Sequence, residues 1–435
     1  MTEPRTEYDA SLDRQLRAQG PMNLARAYET LERMQLDGLI LAEPVNVFHL
    51  LGYWPQIALT RATQPPTTFA LLSRDARQAP GLVTSRFIYY YTYVDGGFER
   101  DLQVHLYLEP GDASDDVDIA IDVQPPLEFA DAERAPLSDI ERRRRDKLDI
   151  AQALQGTRKD AGNALIRAIR GMGLQTGRVG YDHPLIAAIC ERHQLETKLV
   201  PADTALGWIR LVKSPLELQL MRRAAGANAE AVNRVARAIR AGATHAELRD
   251  AFARAAADVG NRSVFFTIDR ISSELSNQKI ADGQTFFVDG VSHHRHYHGD
   301  YARTVFVGEP LPPARRAAEA VLHAWSVIRE HLRPGLRYSD IVMIGKEAIK
   351  SGGYDVSVGF GPHSVGLAHT DEPGSDAQGF HRKLDLELCE NMVLSVDCPI
   401  MNTGLGGSAH VEDLLRITKD GAEPLHDASV GVITV

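Results

Sequence analysis

The sequence predicts an α/β N-terminal half followed by an α+β C-terminal half, with helices covering one side of a mostly antiparallel sheet. Between residues 21 and 200, amphipathic helical runs alternate with short apolar strands. After residue 200, the helical stretches LGWIRLVKSPLELQLMRRAAGANAEAVNRVARAIRAG, HAELRDAFARAAADVG and PPARRAAEAVLHAWSVIREHL are separated by the β-branched and aromatic runs TFFVDG, YARTVFVG, NMVLSVDCP and HVEDLLRIT. A length of 435 residues also suits two or three domains better than one core. A boundary near residue 200 gives domains 1–200 and 201–435.

Taken in order, LARAYETLERMQLDG reads as an amphipathic helix closed by Gly38, and LILAE and FALLS as buried strands. RFIYYYTYV at 86–94 reads as a tyrosine-dense strand, and residues 107–139, rich in Pro, Asp and Ala, as irregular chain. ERRRRDK at 141–147 marks a solvated helix start. DAGNALIRAIRGMG, RVGYD, PLIAAICERHQ and ETKLVPA then alternate helix and strand and complete the first half. Ser214-Pro215-Leu216-Glu217 is a cap and start signal for the helix that opens the second.

Composition narrows the function. Lys plus Arg total 48 against 58 Asp plus Glu, a net charge of −10 that disfavours a nucleic-acid partner. No apolar run reaches the roughly 20 residues of a spanning helix, and the first residues lack a basic-then-apolar signal pattern, so a cytoplasmic protein is expected. Cys190, Cys389 and Cys398 are odd in number and lack CxxC spacing, so they read as small core hydrophobes.

Four acids lie in or at the ends of the C-terminal strands: Asp289, Asp300, Asp397 and Glu412. A buried carboxylate is expensive unless paired or bound to metal. A hairpin between Asp289 and Asp300 would bring those two together, and a cation would hold them there. The Gly-rich stretch VGFGPHSVGLAHTDEPG adds His363 and His369, whose even spacing shares one face if the segment is extended. Carboxylates with one imidazole suit manganese, iron, cobalt or zinc, as one or two divalent ions. Such ions generate hydroxide from water and polarise a carbonyl, while Asp397 or Glu412 moves a proton.

FFVDG, DYARTVFVG 11 residues on, GPHSVGLAHTDEP, ENMVLSVDCP and GGSAHVEDLLRIT together resemble the ordered motif set of the pita-bread metallopeptidases, which include Xaa-Pro dipeptidase, aminopeptidase P, methionine aminopeptidase and creatinase. The resemblance spans about 205–435, and NVFHLLGY is similar, more weakly, to the creatinase and prolidase N-domain. It implies a pita-bread C-terminal domain with metal ligands Asp289, Asp300, His363, Asp397 and Glu412, a homodimer, and a small-molecule or short-peptide substrate. An N-terminal wall of the site is also implied, with Tyr53 and Trp54 as candidate substrate contacts.

Three positions depart from the family pattern. Asp397 stands where Glu is usual, no histidine lies upstream of Asp289 in NRSVFFTIDRISSELSNQKIADGQTFFV, and the register of the second histidine falls on Thr370, one place after His369. The hairpin Ser292–His298 is rich in histidine instead: His298 is a candidate proton shuttle, His296 a candidate substrate contact, and His369, Asp397 and Glu412 complete the catalytic set. Arg303 reads as a structural ion pair behind the ligands. The leading expectation is a metal-dependent hydrolase of small peptides or amides. Non-peptide chemistry on the same fold, as in the metal-free creatinase or the dimethylsulfoniopropionate lyases, and a catalytically silent scaffold stand as alternatives.

Overall fold

The computed structural model describes residues 5–55, 64–108, 136–374, 380–401 and 407–435. Most of the expected irregular stretch 107–139 lies outside the described residues. The chain divides into two compact units, Met1–Ile209 and Arg210–Val435.

The first unit is a seven-stranded mixed sheet. Its strands are β1 (Gly38–Leu41), β2 (Thr68–Ser73), β3 (Gly81–Ser85), β4 (Gln103–Tyr107), β5 (Thr157–Arg158), β6 (Arg178–Tyr181) and β7 (Lys198–Pro201), in the order β5-β4-β3-β2-β1-β6-β7. β2 runs antiparallel to both neighbours and the remaining pairs are parallel. The central strands are buried on both faces, so they read as continuous apolar runs. Leu39, Leu41, Ala70 and Leu72 join one core cluster, while Ile40, Phe69 and Leu71 join the other. After the helix Arg5–Gln19, the helix Leu24–Arg33 stops before the expected Gly38, which instead opens β1.

RFIYYYTYV is helical, not a strand. Ser85 caps it by accepting the Ile88 amide, and Tyr89 and Tyr93, four apart, stack at 5.4 Å in the core. Packing on the sheet overrides the strand preference of aromatic residues.

In the second unit, the helices Pro215–Ala236 and His245–Asp258 back a sheet of β8 (Arg262–Ile268), β9 (Thr285–His294), β10 (Tyr297–Phe306) and β13 (Val411–Glu412), with β16 (Ile433–Thr434) added to β10. A four-stranded antiparallel sheet joins β11 (Gly361–Ser364), β12 (Val393–Asp397), β14 (Leu415–Ile417) and β15 (Ala422–Pro424). Ser214 and Glu217 form a reciprocal capping box at the head of the first helix. The helix Tyr338–Ser351 has no counterpart in the sequence reading.

Two glycines set how closely the helices approach. A Cβ on Gly290 would stand 2.6 Å from Val232 Cγ2, and one on Gly299 would stand 2.6 Å from Asn228 Cβ. Asn228 reaches into this gap, donating to Gly290 O at 2.6 Å and accepting from Ser292 Oγ at 2.7 Å. Strand alternation then turns Asp289, Val291 and His293 of β9, and His298 and Asp300 of β10, toward the opposite face.

The β9–β10 hairpin closes through Arg295 and His296, with φ of 47° and 68°. A two-residue turn with both φ positive favours Asn-Gly. Two side-chain-bearing L residues there cost roughly 1–2 kcal/mol each.

Candidate metal centre

Five strands deliver the site. Asp289 projects from β9 and Asp300 from its register neighbourhood on β10, where Ala302 lies opposite Asp289. His363 comes from β11 and Asp397 from the end of β12, two positions apart across that pair because Gly361 opposes Asp397 and His363 opposes Ser395. Glu412 comes from β13, which pairs with β10 at Ala302. Its Oε1 accepts Ser395 Oγ of β12 at 2.6 Å.

The distances describe one cluster. His363 Nε2 lies 3.6 Å from Asp300 Oδ2, 3.7 Å from Asp397 Oδ2 and 3.4 Å from Glu412 Oε1. His363, Asp397 and Glu412 can place ligand atoms within 4.8 Å of one another, as can Asp289, His410 and Glu412, and Asp300, His363 and His369. Thus the five expected ligands come together, with Glu412 common to two of the groups.

The donor set fits a divalent cation. Asp289 Oδ1, both Asp300 carboxylate oxygens and both His363 nitrogens are buried without a hydrogen-bond partner among the described residues. Native interiors rarely leave such atoms orphaned. Burial, reinforced by Glu412 and by each other's charge, pushes the Asp289 and Asp300 carboxyls well above the usual carboxylate range. For Glu412, burial is outweighed by the adjacent imidazoles of His363 and His410, which hold it well below that range. A bound cation would remove the repulsion that keeps protons on the two aspartates.

His369 reaches the cluster, with Nε2 3.1 Å from Asp300 Oδ2, although its route there differs from the extended segment expected. β11 stops at Ser364, and the chain turns back: the Asp371 amide donates to Ser364 O at 2.8 Å and the Leu367 amide to Asp371 Oδ2 at 2.9 Å. Arg210 Nε holds the other Asp371 oxygen at 2.6 Å. The turn therefore offsets the one-residue shift from Thr370, and the ring of His369 packs edge-on against Phe265.

His298 shares the site face with Asp300, and its Nδ1 lies 3.2 Å from Gly366 O. With the proton on Nδ1 directed at that carbonyl, Nε2 is left as the basic nitrogen. His296 lies at the turn and stacks on His293 at 5.4 Å. Tyr53 is buried in the first unit's own core, bonded to Thr92 and packed edge-on against Tyr93 and Phe98. Trp54, in the same unit, packs edge-on against Phe48. Arg303 is fully buried and pairs with Asp413 while donating to Glu412 O at 2.8 Å, which fixes β13 from behind.

Sequence reasoning missed His410. Its Nε2 lies 3.3 Å from Glu412 Oε2 and 3.6 Å from Asp397 Oδ1, while the Cys398 amide donates to Nδ1 at 3.3 Å. That amide leaves the ring proton on Nε2, so His410 donates to the two carboxylates and is a poor metal ligand in this tautomer. Burial works against a charged ring, but the two carboxylates dominate and raise its pKa. The available signal was spacing, since residues two apart in a strand share a face.

A helix-backed, two-sheet domain that converges carboxylates and histidines on one buried point forms a candidate metal centre. Residues 219–419, within the second unit, match metallopeptidase family M24. The chain is 31% identical over 151 residues to the Xaa-Pro dipeptidase of Pyrococcus furiosus, covering 34% of this chain and 42% of that protein. It is 26% identical over 245 residues to the probable dipeptidase PepE of Mycobacterium tuberculosis, covering 54% and 64%. The matched region thus spans less than two thirds of either relative's length. Among solved structures, the fold is shared with an Xaa-Pro dipeptidase from Bacillus anthracis (TM-score 0.64, 16% identity, 94% and 98% of the chains covered) and with the prolidase from Pyrococcus furiosus (0.63, 18%, 93% and 100%).

Proposed function

We propose that this protein is a metal-dependent hydrolase that cleaves short peptides in the manner of Xaa-Pro dipeptidases. The observation that carries the reading is the group of orphaned buried oxygens and nitrogens on Asp289, Asp300 and His363, brought together with Asp397 and Glu412. Those five residues would hold one or two divalent ions, manganese, iron, cobalt or zinc. When bound, such ions supply an activated water and polarise the scissile carbonyl.

The remaining work falls to side chains. Glu412, held ionised by His363 and His410, accepts the proton released on attack. Asp397, with 42% of its side chain exposed, is the carboxylate open to the substrate. His369, against Asp300, orients the carbonyl, and His298 Nε2 returns a proton to the leaving amine. His410 keeps Asp397 and Glu412 aligned, which offsets the shorter reach of an aspartate at 397. Retention of a full ligand set speaks against a silent scaffold, and dipeptidase relatives favour hydrolysis over other chemistry. Cys190 and Cys398, held as buried thiols, suit a reducing cytoplasm, and a homodimer belongs to the same reading.

Elemental analysis of the purified protein beside its Asp300→Ala variant, followed by a dipeptide panel, tests this. One or two equivalents of metal, lost in the variant, together with cleavage of Xaa-Pro substrates, are expected. Metal-loaded protein that leaves every dipeptide intact refutes the activity.

A further inference from the structure

The histidine-rich hairpin is not consumed by the metal centre. On the face that carries Asp289 and Asp300, His293 opposes His298 across the β9–β10 pair and Arg262 across the β8–β9 pair. Cross-strand partners share a face, so one imidazole-and-guanidinium wall runs from Asp300 toward the hairpin turn. The His293 ring lies 5.4 Å from that of His296 and 5.5 Å from that of His298. The His296 amide donates to His293 Nδ1 at 3.2 Å, which places the His293 proton on Nε2 as a donor. Arg262 is exposed at the rim and contributes a fixed positive charge.

The turn supplies an independent reason to regard this wall as selected for. Arg295 and His296 occupy positive-φ positions that Asn-Gly would fill with less strain, and strain of this kind clusters at ligand sites. We propose that His293, His296 and Arg262, continued toward Asp300 by His298, form an anion subsite that takes the free C-terminal carboxylate of a short peptide. Strand residues two apart are separated by about 6.6 Å, so the wall begins at His298, one such step from Asp300 along β10. Burial, the largest cause, lowers the His293 and His296 pKa values to about 4 and 3. Both rings are therefore neutral near pH 7 and offer N–H donors to a carboxylate, while Arg262 supplies the positive charge.

This assignment rests on the peptidase reading, so its test has an arm that needs no turnover. In wild-type protein, glycyl-proline should be cleaved at least tenfold more efficiently, by kcat/KM, than glycyl-prolinamide. His293→Asn and Arg262→Gln should each shrink that ratio at least threefold with metal content unchanged. In parallel, L-proline should shift the imidazole resonances of His293 and His296 in histidine-labelled protein, and L-prolinamide should not. Proline-specific shifts without any cleavage would sink the peptidase reading and keep the subsite. Cleavage with equal rates on acid and amide, or a ratio unmoved in both variants, overturns the subsite.

Discussion

Gly299→Ala tests whether the close helix–sheet approach positions the metal centre. The added Cβ would meet Asn228 Cβ at 2.6 Å, Ala224 O at 2.9 Å and Ala225 Cα at 3.0 Å, all on the helix Pro215–Ala236. Two of these are backbone atoms, so no rotamer change relieves the contact. Ordinary separations are about 3.5–4.0 Å, so the helix must retreat by about 1 Å. Overpacking of this kind costs about 1–3 kcal/mol. Stretching the Asn228 bonds to Gly290 O and Ser292 Oγ adds about 1 kcal/mol. The sum, about 2–4 kcal/mol, corresponds to a fall of about 4–16 °C in the melting temperature of a unit of this size. Because Asp300 follows directly, weaker metal retention should accompany the loss. The control lies on the same helix: a Cβ on Gly226 meets nothing within 4 Å, so Gly226→Ala should stabilise by about 0.5–1 kcal/mol. Chemical denaturation of the three proteins measures both values. Gly299→Ala within 0.5 kcal/mol of wild type, with metal content intact, would refute the argument.

Asp300→Asn should abolish metal binding yet make the metal-free protein more stable than metal-free wild type. Because folding raises the Asp300 pKa, its ionisation opposes the folded state. The stability difference should therefore be absent below about pH 4 and grow as pH rises toward the folded pKa, and denaturant titrations at several pH values follow it. Arg303→Met should cost about 3–5 kcal/mol by stranding Asp413 in the interior, and Arg303→Met/Asp413→Leu should recover part of that loss in thermal melts. In the first unit, Asp182 accepts from the Ala42 and Glu43 amides and from Asn46 Nδ2. Asp182→Ala should cost about 2–3 kcal/mol, read as a lower denaturant midpoint for that unit.

The candidate site was legible because Asp289, Asp300, Asp397 and Glu412 each stand in or at the end of a β-branched run, while His363 was carried by the ordered motif set. His369 was harder to place. Its contact with Asp300 depends on a turn held by Asp371 and Arg210, residues distant from each other in sequence. His410 escaped because the strand holding Glu412 is only two residues long, too short for periodicity to register. The tyrosines at 89–93 misled for a physical reason. An aromatic side chain announces burial but not which element or core it serves, and here Tyr53, Tyr89 and Tyr93 pack in the first unit's core while Tyr91 is 38% exposed. The helix Tyr338–Ser351 buries Tyr338, Ile341, Gly345, Ala348 and Ile349 along one face, a helical spacing that the sequence reading passed over.

The placement of Glu412 has a consequence for how the second unit assembles. Its strand is laced to β10, and its carboxylate is tied through Ser395 to β12, so the centre is a rivet through two sheets. Empty, the rivet hole holds buried carboxyls that keep their protons at Asp289 and Asp300; filled, it would clamp the sheets. Amides of β9–β10 and β11–β12 should then exchange with solvent in step once metal is bound, and independently without it. The supply of a transition ion during synthesis would thereby set the rate at which newly made chains become resistant to proteolysis.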